Sequence, residues 1–264
     1  MNLKYTVLTY IIGNYEKVHE IKFDTKTLTP NVEYLLVTDN ENLKSDTWTV
    51  IYDKDLDNNT QTSFDKVFSI RYGLFKYATN DICLRIDGSI GINKPLTPII
   101  KLFVDGGYDA CLNIHPGRTF LIDEYNAWIG FRNFPLKEAQ THLDYIVNVL
   151  GYDIHTKGLI EQNFAINIKN DLTKNIDNDM LKILRNVGNG QCTRLDQTLF
   201  TAYLSLKHPK NKYMFVDDYH LFNDYMTWYQ HASDNPYFVN KRQVTPFFNN
   251  EEVEIIPMKK NLPF

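Results

Sequence analysis

An acidic residue stands at the end of an apolar run and is the first candidate for chemistry. The run Ile82–Ile86 is followed directly by Asp87, Gly88 and Ser89. If the run is a strand, its end holds the Asp87 carboxylate rigidly, and such a carboxylate suits a hard divalent cation whose other ligands are water and phosphate oxygens. Gly88 predicts a close approach of a ligand to the backbone. The same three residues are also typical of an ordinary turn.

Polar residues follow three other apolar runs in the same way. They are Gly13 and Asn14 after residues 5–12, Asp39 after residues 33–38, and His115 to Arg118 after residues 108–114. Ligands of open α/β sheets bind beyond the carboxyl ends of the strands, so these positions predict one shared site. For Asp39 a helix cap or Asx turn is an equal alternative. For His115 the ordinary turn that Pro116-Gly117 indicates is a strong alternative.

Two cationic side chains lie on a predicted helix that precedes Asp87. The helix covers residues 63–78, and Lys66 and Arg71 fall outside its clearest apolar stripe. Both could offset the charge of a phosphate ligand, and the guanidinium of Arg71 offers a bidentate fork for it. Exposed cations on helices also commonly form nothing more than a solvated face.

Short apolar runs rich in β-branched and aromatic residues alternate with helical patterns. We predict strands at residues 5–12, 33–38, 48–52, 82–86, 108–114 and 164–168, and helices at 63–78, at 136–149 and from 195 to shortly before Pro209. This alternation predicts an α/β fold built around a single sheet flanked by helices.

Composition limits the class of protein. The chain has 264 residues, of which 43% are hydrophobic and 23% charged, so it can bury a core. Its 28 Lys and Arg against 32 Asp and Glu give a net charge of -4, which argues against a nucleic-acid partner. Three widely spaced cysteines, Cys83, Cys111 and Cys192, predict reduced thiols and a cytoplasmic location.

The sequence lacks the motifs that are typical of several other classes of enzyme. The sequence has no P-loop, dinucleotide-binding or nucleophile-elbow signature. The apolar residues 5–12 are far fewer than the roughly 20 needed to span a bilayer, so they predict a buried first strand. A peripheral contact at the inner face of the membrane stays open.

Six short elements occur in a recognisable order between residues 5 and 205. They are Gly13-Asn14-Tyr15, Thr38-Asp39, the helix with Lys66 and Arg71, Ile86-Asp87-Gly88, His115-Pro116-Gly117-Arg118 and Asp196-Gln197. In this order and spacing the chain resembles GT-A fold glycosyltransferases. More specifically, it resembles a glycosyltransferase-like family of bacterial polysaccharide loci and plant mucilage-related proteins.

The resemblance implies a GT-A fold with a Rossmann-like mixed sheet and a transferase activity. A sugar would pass from a nucleotide-diphosphate sugar, such as a UDP-sugar, to a glycan or lipid-linked acceptor in surface polysaccharide biosynthesis. The residues implied to bind the nucleotide sugar are Thr9, Tyr10, Asp39, Lys66, Arg71, Asp87, Gly88 and Ser89.

The resemblance also implies residues on the acceptor side. His115, Arg118 and Gln197 would contact acceptor or phosphate, while Glu161 or Asp196 would approach the acceptor hydroxyl as general base. An Asp at a helix start, such as Asp196, is also explained by the helix dipole.

A metal ion is a further implication. Mn²⁺ or Mg²⁺ would bind Asp87, and the Asp217-Asp218-Tyr219-His220 segment after residues 213–216 would add His220 as a ligand. Ser89 stands where the fuller motif has a second acid, which implies weak metal binding or none. Two other functions stay open, a non-catalytic nucleotide-sugar or glycan-binding protein and a glycoside hydrolase using two carboxylates.

We expect one domain over residues 1–264. Residues 1–92 would form the nucleotide-binding half and residues 93–217 the acceptor-side half. An extension at residues 218–264 carries too many aromatic side chains for a solvated tail, so we expect it to pack onto the domain or over the site.

Overall fold

A mixed sheet forms the centre of the fold in the computed structural model, which describes residues 3–13, 15–28, 31–57, 61–132, 134–216, 218–237, 247–248 and 251–256. The described strands of the protein are β1 (Tyr5–Ile11), β2 (Val32–Thr38), β3 (Thr49–Tyr52), β4 (Ile82–Ile86), β5 (Ile90–Ile92), β6 (Ala110–Ile114), β7 (Ile160–Ile168), β8 (Tyr213–Val216), β9 (Met226–Trp228), β10 (Phe247–Phe248), β11 (Glu251–Glu252) and β12 (Ile255–Ile256). The predicted Asn14 and Asp217 lie outside the described residues.

Eight of these strands make the main sheet, in the order β12-β8-β6-β7-β4-β1-β2-β3. Seven run parallel, and β7 runs antiparallel between β4 and β6. Two small antiparallel pairs, β5 with β9 and β10 with β11, lie outside it. The expectation of an α/β protein built around one mixed sheet is confirmed for this main sheet, which is mostly parallel.

Helices flank the sheet. They are α1 (Ser63–Arg71), α2 (Thr97–Asp105), α3 (Leu121–Arg132), α4 (Leu136–Asp144), α5 (Asp171–Val187), α6 (Asp196–Lys207) and the single turn α7 (Asp218–His220). None of the helices in the described ranges is long and apolar enough to cross a membrane. The three cysteines are free, in agreement with the predicted reduced thiols, and all three are buried.

Three predicted boundaries were wrong. The helix expected over residues 63–78 stops at Arg71, and a short 3-10 turn at Leu74–Lys76 follows it. The helix expected over residues 136–149 is α-helical only to Asp144 and continues as a π turn. The strand expected at residues 164–168 begins at Ile160, which brings Glu161 into the sheet.

The two faces of the sheet bury separate sets of apolar side chains. On one face, Val7, Leu84 and Phe164 pack with α2 residues such as Phe103. On the other face, strand residues such as Leu8 and Leu112 pack beneath α1 and α3 to α6. Alternation along each strand produces this division, because successive side chains point to opposite faces.

Residues after 217 contribute to the first of these cores. Leu221 and Met226 are fully buried there, and Phe222 and Tyr225 are nearly so. The strand β9 pairs with β5, directly after the Asp87 segment. The described part of the aromatic extension therefore packs onto the domain as an integral layer.

Candidate functional site

The site lies where the strand order reverses. From β1 the chain first adds β2 and β3 on one side, and then β4 on the other. Crevices form at such switch points beyond the carboxyl ends of the strands. Because β7 is antiparallel to its neighbours, its first residues lie at the same edge as the last residues of β4 and β6.

Arg71, in the last turn of α1, joins three distant parts of the chain. Its Nη2 donates to Tyr10 Oη at 2.8 Å and to Asp87 Oδ1 at 3.0 Å. Its Nη1 donates to Asp196 Oδ2, across 125 residues of sequence. The side chain of Arg71 is only 8% exposed, so these contacts are shielded from water.

The Asp87 carboxylate is held through one of its oxygens. Oδ1 accepts from Tyr10 Oη at 2.5 Å, from Arg71 Nη2 at 3.0 Å and from Arg85 Nη1 at 3.3 Å. No described residue donates to Oδ2, and the side chain is 30% exposed. Oδ2 is therefore the atom of Asp87 that can face a ligand.

Arg85 supports this arrangement from inside the sheet. Although it lies in β4, it is 2% exposed and donates to the backbone oxygen and to Oε1 of Gln162. Arg85 is not among the site residues predicted from the sequence. A lone arginine inside the apolar run Ile82–Ile86 was the available signal, since buried arginines are found almost only with partners.

Burial and charge set the protonation of the central groups. Burial acts to lower the pKa of Arg71, but the neighbouring Asp196, Tyr10 and Asp87 raise it well above its ordinary value. Burial raises the pKa of the Tyr10 phenol well above its ordinary range, and Asp87 adds to the effect while Arg71 opposes it. A charged Arg71 and a protonated Tyr10 thus both donate hydrogen bonds at neutral pH.

Asp196 belongs to the same cluster but is less accessible than Asp87. It is 5% exposed at the start of α6, and its Oδ2 also accepts from Tyr72 Oη at 3.3 Å. Neighbouring Gln197 is half-buried, and its Nε2 has no hydrogen-bond partner among the described residues. The carboxylate of Asp196 therefore holds Arg71 in place.

Gly88 and Ser89 contact other parts of the protein, whereas their motif predicted that a ligand would approach them. A Cβ on Gly88 would come within 2.6 Å of the Tyr10 backbone oxygen, so the glycine lets β4 and β1 approach each other. Ser89 is 3% exposed, and its backbone oxygen accepts from the Tyr229 amide at 2.8 Å. The close approach predicted at Gly88 is thus made by the protein's own backbone.

A second cluster surrounds Glu161 at the start of β7. Its Oε2 lies 3.3 Å from His115 Nε2, and Arg118 Nη1 lies 3.0 Å from the same ring atom. Arg118 also pairs with Glu124, which is 1% exposed and accepts from Trp128 Nε1 at 2.6 Å. The predicted residues His115, Arg118 and Glu161 are therefore brought together.

Glu161 holds a proton at neutral pH. Burial is the largest cause, and with the nearby Glu124 and Asp87 carboxylates it raises the pKa of Glu161 to about 8, against the opposing effects of Arg118 and Arg71. Carboxyl groups with such raised pKa values in a crevice are candidates for acid or base catalysis.

Asp39, at the end of β2, forms a third polar group. Its Oδ2 pairs with Lys66 Nζ at 2.9 Å, and its Oδ1 accepts from the Gly13 amide at 2.8 Å. Both side chains of the ion pair are about nine-tenths buried. Thr9 lies apart, because it precedes Tyr10 in β1 and points to the opposite face of the sheet, where it is 4% exposed.

The described residues do not fit a metal ion held by the protein alone. They contain no group of three or more His, Cys, Asp or Glu side chains arranged as ligands. Asp87 is flanked by two guanidinium groups, which disfavour a further cation. His220 Nδ1 lies 2.8 Å from Asp224 Oδ2, within the same helical turns.

Comparison with known proteins adds no family assignment, since the sequence matches no family model and no curated protein. The fold and the site therefore define the class as an α/β protein with a buried ionic cluster at the carboxyl ends of its parallel strands.

Proposed function

We propose that this protein is a glycosyltransferase that uses a nucleotide-diphosphate sugar, with UDP-sugars as the first donors to test. One observation carries the proposal. Tyr10, Arg71, Asp87 and Asp196, which are far apart in sequence, converge at the switch point between β1 and β4. Glu161, in β7, lies near enough to Asp87 and Arg71 for their charges to act on its pKa. Nucleotides bind at this position in doubly wound sheets.

The proposal gives each group a task. Asp39, fixed by Lys66 and the Gly13 amide, lies at the end of β2, where its oxygens could accept from a base or ribose. Asp87 would present Oδ2 to the donor, oriented by Tyr10, Arg71 and Arg85. Asp196 and Arg71 would act as positioning residues, because their charged atoms already pair with each other and, for Arg71, with Asp87.

The proton-accepting role fits Glu161 better than Asp196. Asp196 is already ion-paired, whereas the pKa of Glu161 is about 8, close to the pH at which the reaction would run. Once deprotonated, Glu161 could remove the proton of an acceptor hydroxyl, on a glycan or lipid-linked acceptor. Because the donor set does not fit a resident metal ion, no step is assigned to one.

Calorimetric titration tests the proposal. UDP, GDP, CDP and their common sugar conjugates are titrated into the wild type and into Asp87→Asn, with and without Mn²⁺. The control is Asp105→Asn, an exposed residue in the last turn of α2 that pairs with Lys101. We expect one nucleotide to bind the wild type and the control alike, and to bind Asp87→Asn at least about tenfold more weakly.

The titration, together with assays of sugar transfer and of glycan cleavage on the same proteins, separates the alternatives. Nucleotide-sugar binding with no turnover across an acceptor panel would favour a non-catalytic binding protein. Binding of no nucleotide, with or without Mn²⁺, would overturn the transferase proposal. Cleavage of a glycan in the absence of any nucleotide would point to a glycoside hydrolase.

A further inference from the structure

The ring of His115, directly after β6, has hydrogen-bond donors beside both of its nitrogens. Nδ1 lies 3.0 Å from the backbone nitrogen of Gly117 and 3.0 Å from that of Arg118. Nε2 lies 3.0 Å from Arg118 Nη1 and 3.3 Å from Glu161 Oε2. A neutral imidazole carries one N–H, so only one of its nitrogens can accept a hydrogen bond.

The backbone decides which nitrogen of His115 carries the proton. A proton on Nδ1 would face two backbone N–H groups, and both would lose this acceptor. A proton on Nε2 costs less, because the Arg118 guanidinium keeps its ion pair with Glu124 when it gives up its contact with Nε2. Nδ1 is therefore the acceptor, and Nε2 carries the proton beside Glu161 Oε2. Since two amides already occupy Nδ1, the ring has no place for a second proton.

This arrangement makes the two oxygens of Glu161 unequal. Oε2 faces the Nε2–H of His115, whereas no described residue donates to Oε1. The distance of 3.3 Å from Nε2 to Oε2 is slightly longer than an ordinary N–H···O hydrogen bond. We expect it to shorten when Glu161 is ionised, because charged acceptors form shorter and stronger hydrogen bonds.

Charged groups from four other segments also act on Glu161. They are Glu124 in α3, Asp87 after β4, Arg118 after β6 and Arg71 in α1. Burial is the largest cause of the raised pKa of Glu161, the two carboxylates add to it, and the two cations oppose it. Among the cationic and imidazole side chains of the described residues, only His115 lies within ion-pair distance of the Glu161 carboxylate. His115 is therefore the group that can orient this carboxylate by direct contact.

We infer that His115 is a positioning residue for Glu161, donating Nε2–H to Oε2 so that Oε1 is the atom that takes the proton of the acceptor hydroxyl. The role of Oε1 rests on the proposed function. In that step the O–H bond of the hydroxyl breaks and its proton passes to Oε1 of ionised Glu161. The hydroxyl oxygen bonds to the anomeric carbon, and the nucleoside diphosphate leaves that carbon with the electron pair of the broken C–O bond.

Nuclear magnetic resonance of the ring nitrogens tests the proton position. Long-range ¹H–¹⁵N correlation spectra of the labelled wild type show which nitrogen of each histidine carries a proton. The signals of His115 are those that disappear in His115→Gln. We expect a proton on Nε2 and none on Nδ1 at neutral pH. A proton on Nδ1 at this pH, whether alone or together with one on Nε2, would overturn the inference.

Variants of His115 test whether the ring acts on Glu161. The pKa of Glu161 is measured from the ¹³C shift of its carboxyl carbon in the wild type, His115→Leu and His115→Gln, and Glu161→Gln identifies the signal. The control is His155→Leu, the same change at an exposed histidine in the loop before β7. Thermal unfolding shows that each variant is folded.

His115→Leu removes a donor to the Glu161 carboxylate, so the measured pKa of Glu161 should rise by roughly 1–2 pH units. In His115→Gln the side-chain amide can donate in place of Nε2–H, and the pKa should stay close to the wild-type value. The control should titrate like the wild type. If His115→Leu also titrates like the wild type, His115 only shapes its turn and the inference fails.

Turnover separates this inference from the proposed function. If sugar transfer is found, the pH profile of kcat/KM for His115→Leu should move upward together with the pKa of Glu161, and His115→Gln should restore it. An unmoved profile would show that Glu161 is not the proton acceptor and would overturn the inference. If the spectra agree with the inference but no sugar is transferred, the contact between His115 and Glu161 stands, while the transferase proposal and the role of Oε1 fail.

Discussion

At the scale of single residues, the site depends on charges that are buried only because they are paired. Arg71 contacts Asp87, Asp196 and Tyr10, and Arg85 donates to the same Asp87 oxygen as Arg71. Removing one member of such a cluster leaves its partners buried and uncompensated, which costs more than the intact pair contributes.

Arg71→Met should therefore be strongly destabilising. The buried carboxylate of Asp196 and the partly exposed carboxylate of Asp87 would lose their shared cation, and we expect the free energy of unfolding to fall by about 3–5 kcal/mol. Urea unfolding followed by fluorescence measures it. The exposed Arg185→Met, in the last turn of α5, should cost less than about 1 kcal/mol. Equal urea midpoints for the two variants would contradict the ion-pair assignment.

The raised pKa of Glu161 predicts a stability that depends on pH. In the folded protein the pKa of Glu161 is about 8, above its ordinary value of 4.5. The stabilisation that protonated Glu161 gives the folded state is therefore complete below pH 4.5 and is lost as the pH rises through 8. Glu161→Gln has no such loss. The free energy of unfolding of Glu161→Gln, relative to that of the wild type, should rise by an amount on the order of 4 kcal/mol between about pH 5 and pH 8. Above about pH 8 the difference should stay constant.

Thermal unfolding of both proteins across this pH range measures the difference. The exposed Glu41→Gln serves as the control and should follow the wild type at every pH. A constant difference between Glu161→Gln and the wild type would mean that Glu161 titrates as an ordinary carboxyl group.

At the scale of elements, the placement of α1 decides which charges meet. Thr62 and Asp65 form a capping box at its start, and Asp65 Oδ1 also accepts from the Cys192 amide at 2.8 Å. This contact ties α1 to the loop before α6. The contact fixes α1, which carries Arg71, relative to the loop that leads into α6, which carries Asp196. Arg71 and Asp196 are therefore held next to each other.

The close approach of the Gly88 segment, which follows β4, to strand β1 also depends on how these elements are placed. Gly88→Ala would place a methyl group 2.6 Å from the Tyr10 backbone oxygen, and backbone cannot move aside cheaply. We expect a loss of about 1–3 kcal/mol, together with weaker nucleotide binding, because Asp87 and Tyr10 would be pushed apart. Chemical unfolding and calorimetry measure these effects.

Gly130→Ala provides the matched comparison. A Cβ at this position in α3 would meet nothing within 4 Å, so the substitution should stabilise the helix by about 0.5–1 kcal/mol. If Gly88→Ala behaved like Gly130→Ala, the tight contact between Gly88 and β1 would be disproved.

At the scale of the whole molecule, the residues after 217 complete one of the two cores. Leu221→Ala, at a fully buried position, should cost about 2–5 kcal/mol of unfolding free energy. Leu206→Ala, at a position that is 39% exposed, should cost less than about 1 kcal/mol. Urea unfolding compares them, and similar costs would show that the region beyond residue 217 is not part of the core.

Much of the fold could be predicted because its signals are local. Alternating and 3.6-residue apolar spacings indicate strands and helices, and an acid after an apolar run places Asp87 at a strand end. α5 was missed although the spacing of Ile176, Met180, Ile183 and Val187 is helical. The end of α1 at Arg71 depends on the turn that follows, which apolar spacing does not describe.

The sequence by itself determined the α/β class, the free thiols and the strand-end position of Asp87, because each follows from neighbours along the chain. Only the tertiary structure decided that Arg71 joins Asp87 to Asp196 and that Gly88 allows the close contact with β1. It also decided that Glu161 lies near the start of the antiparallel strand β7. Ion pairs and pKa shifts depend on distance and burial in space, and residues 125 positions apart carry no local sign that they will meet.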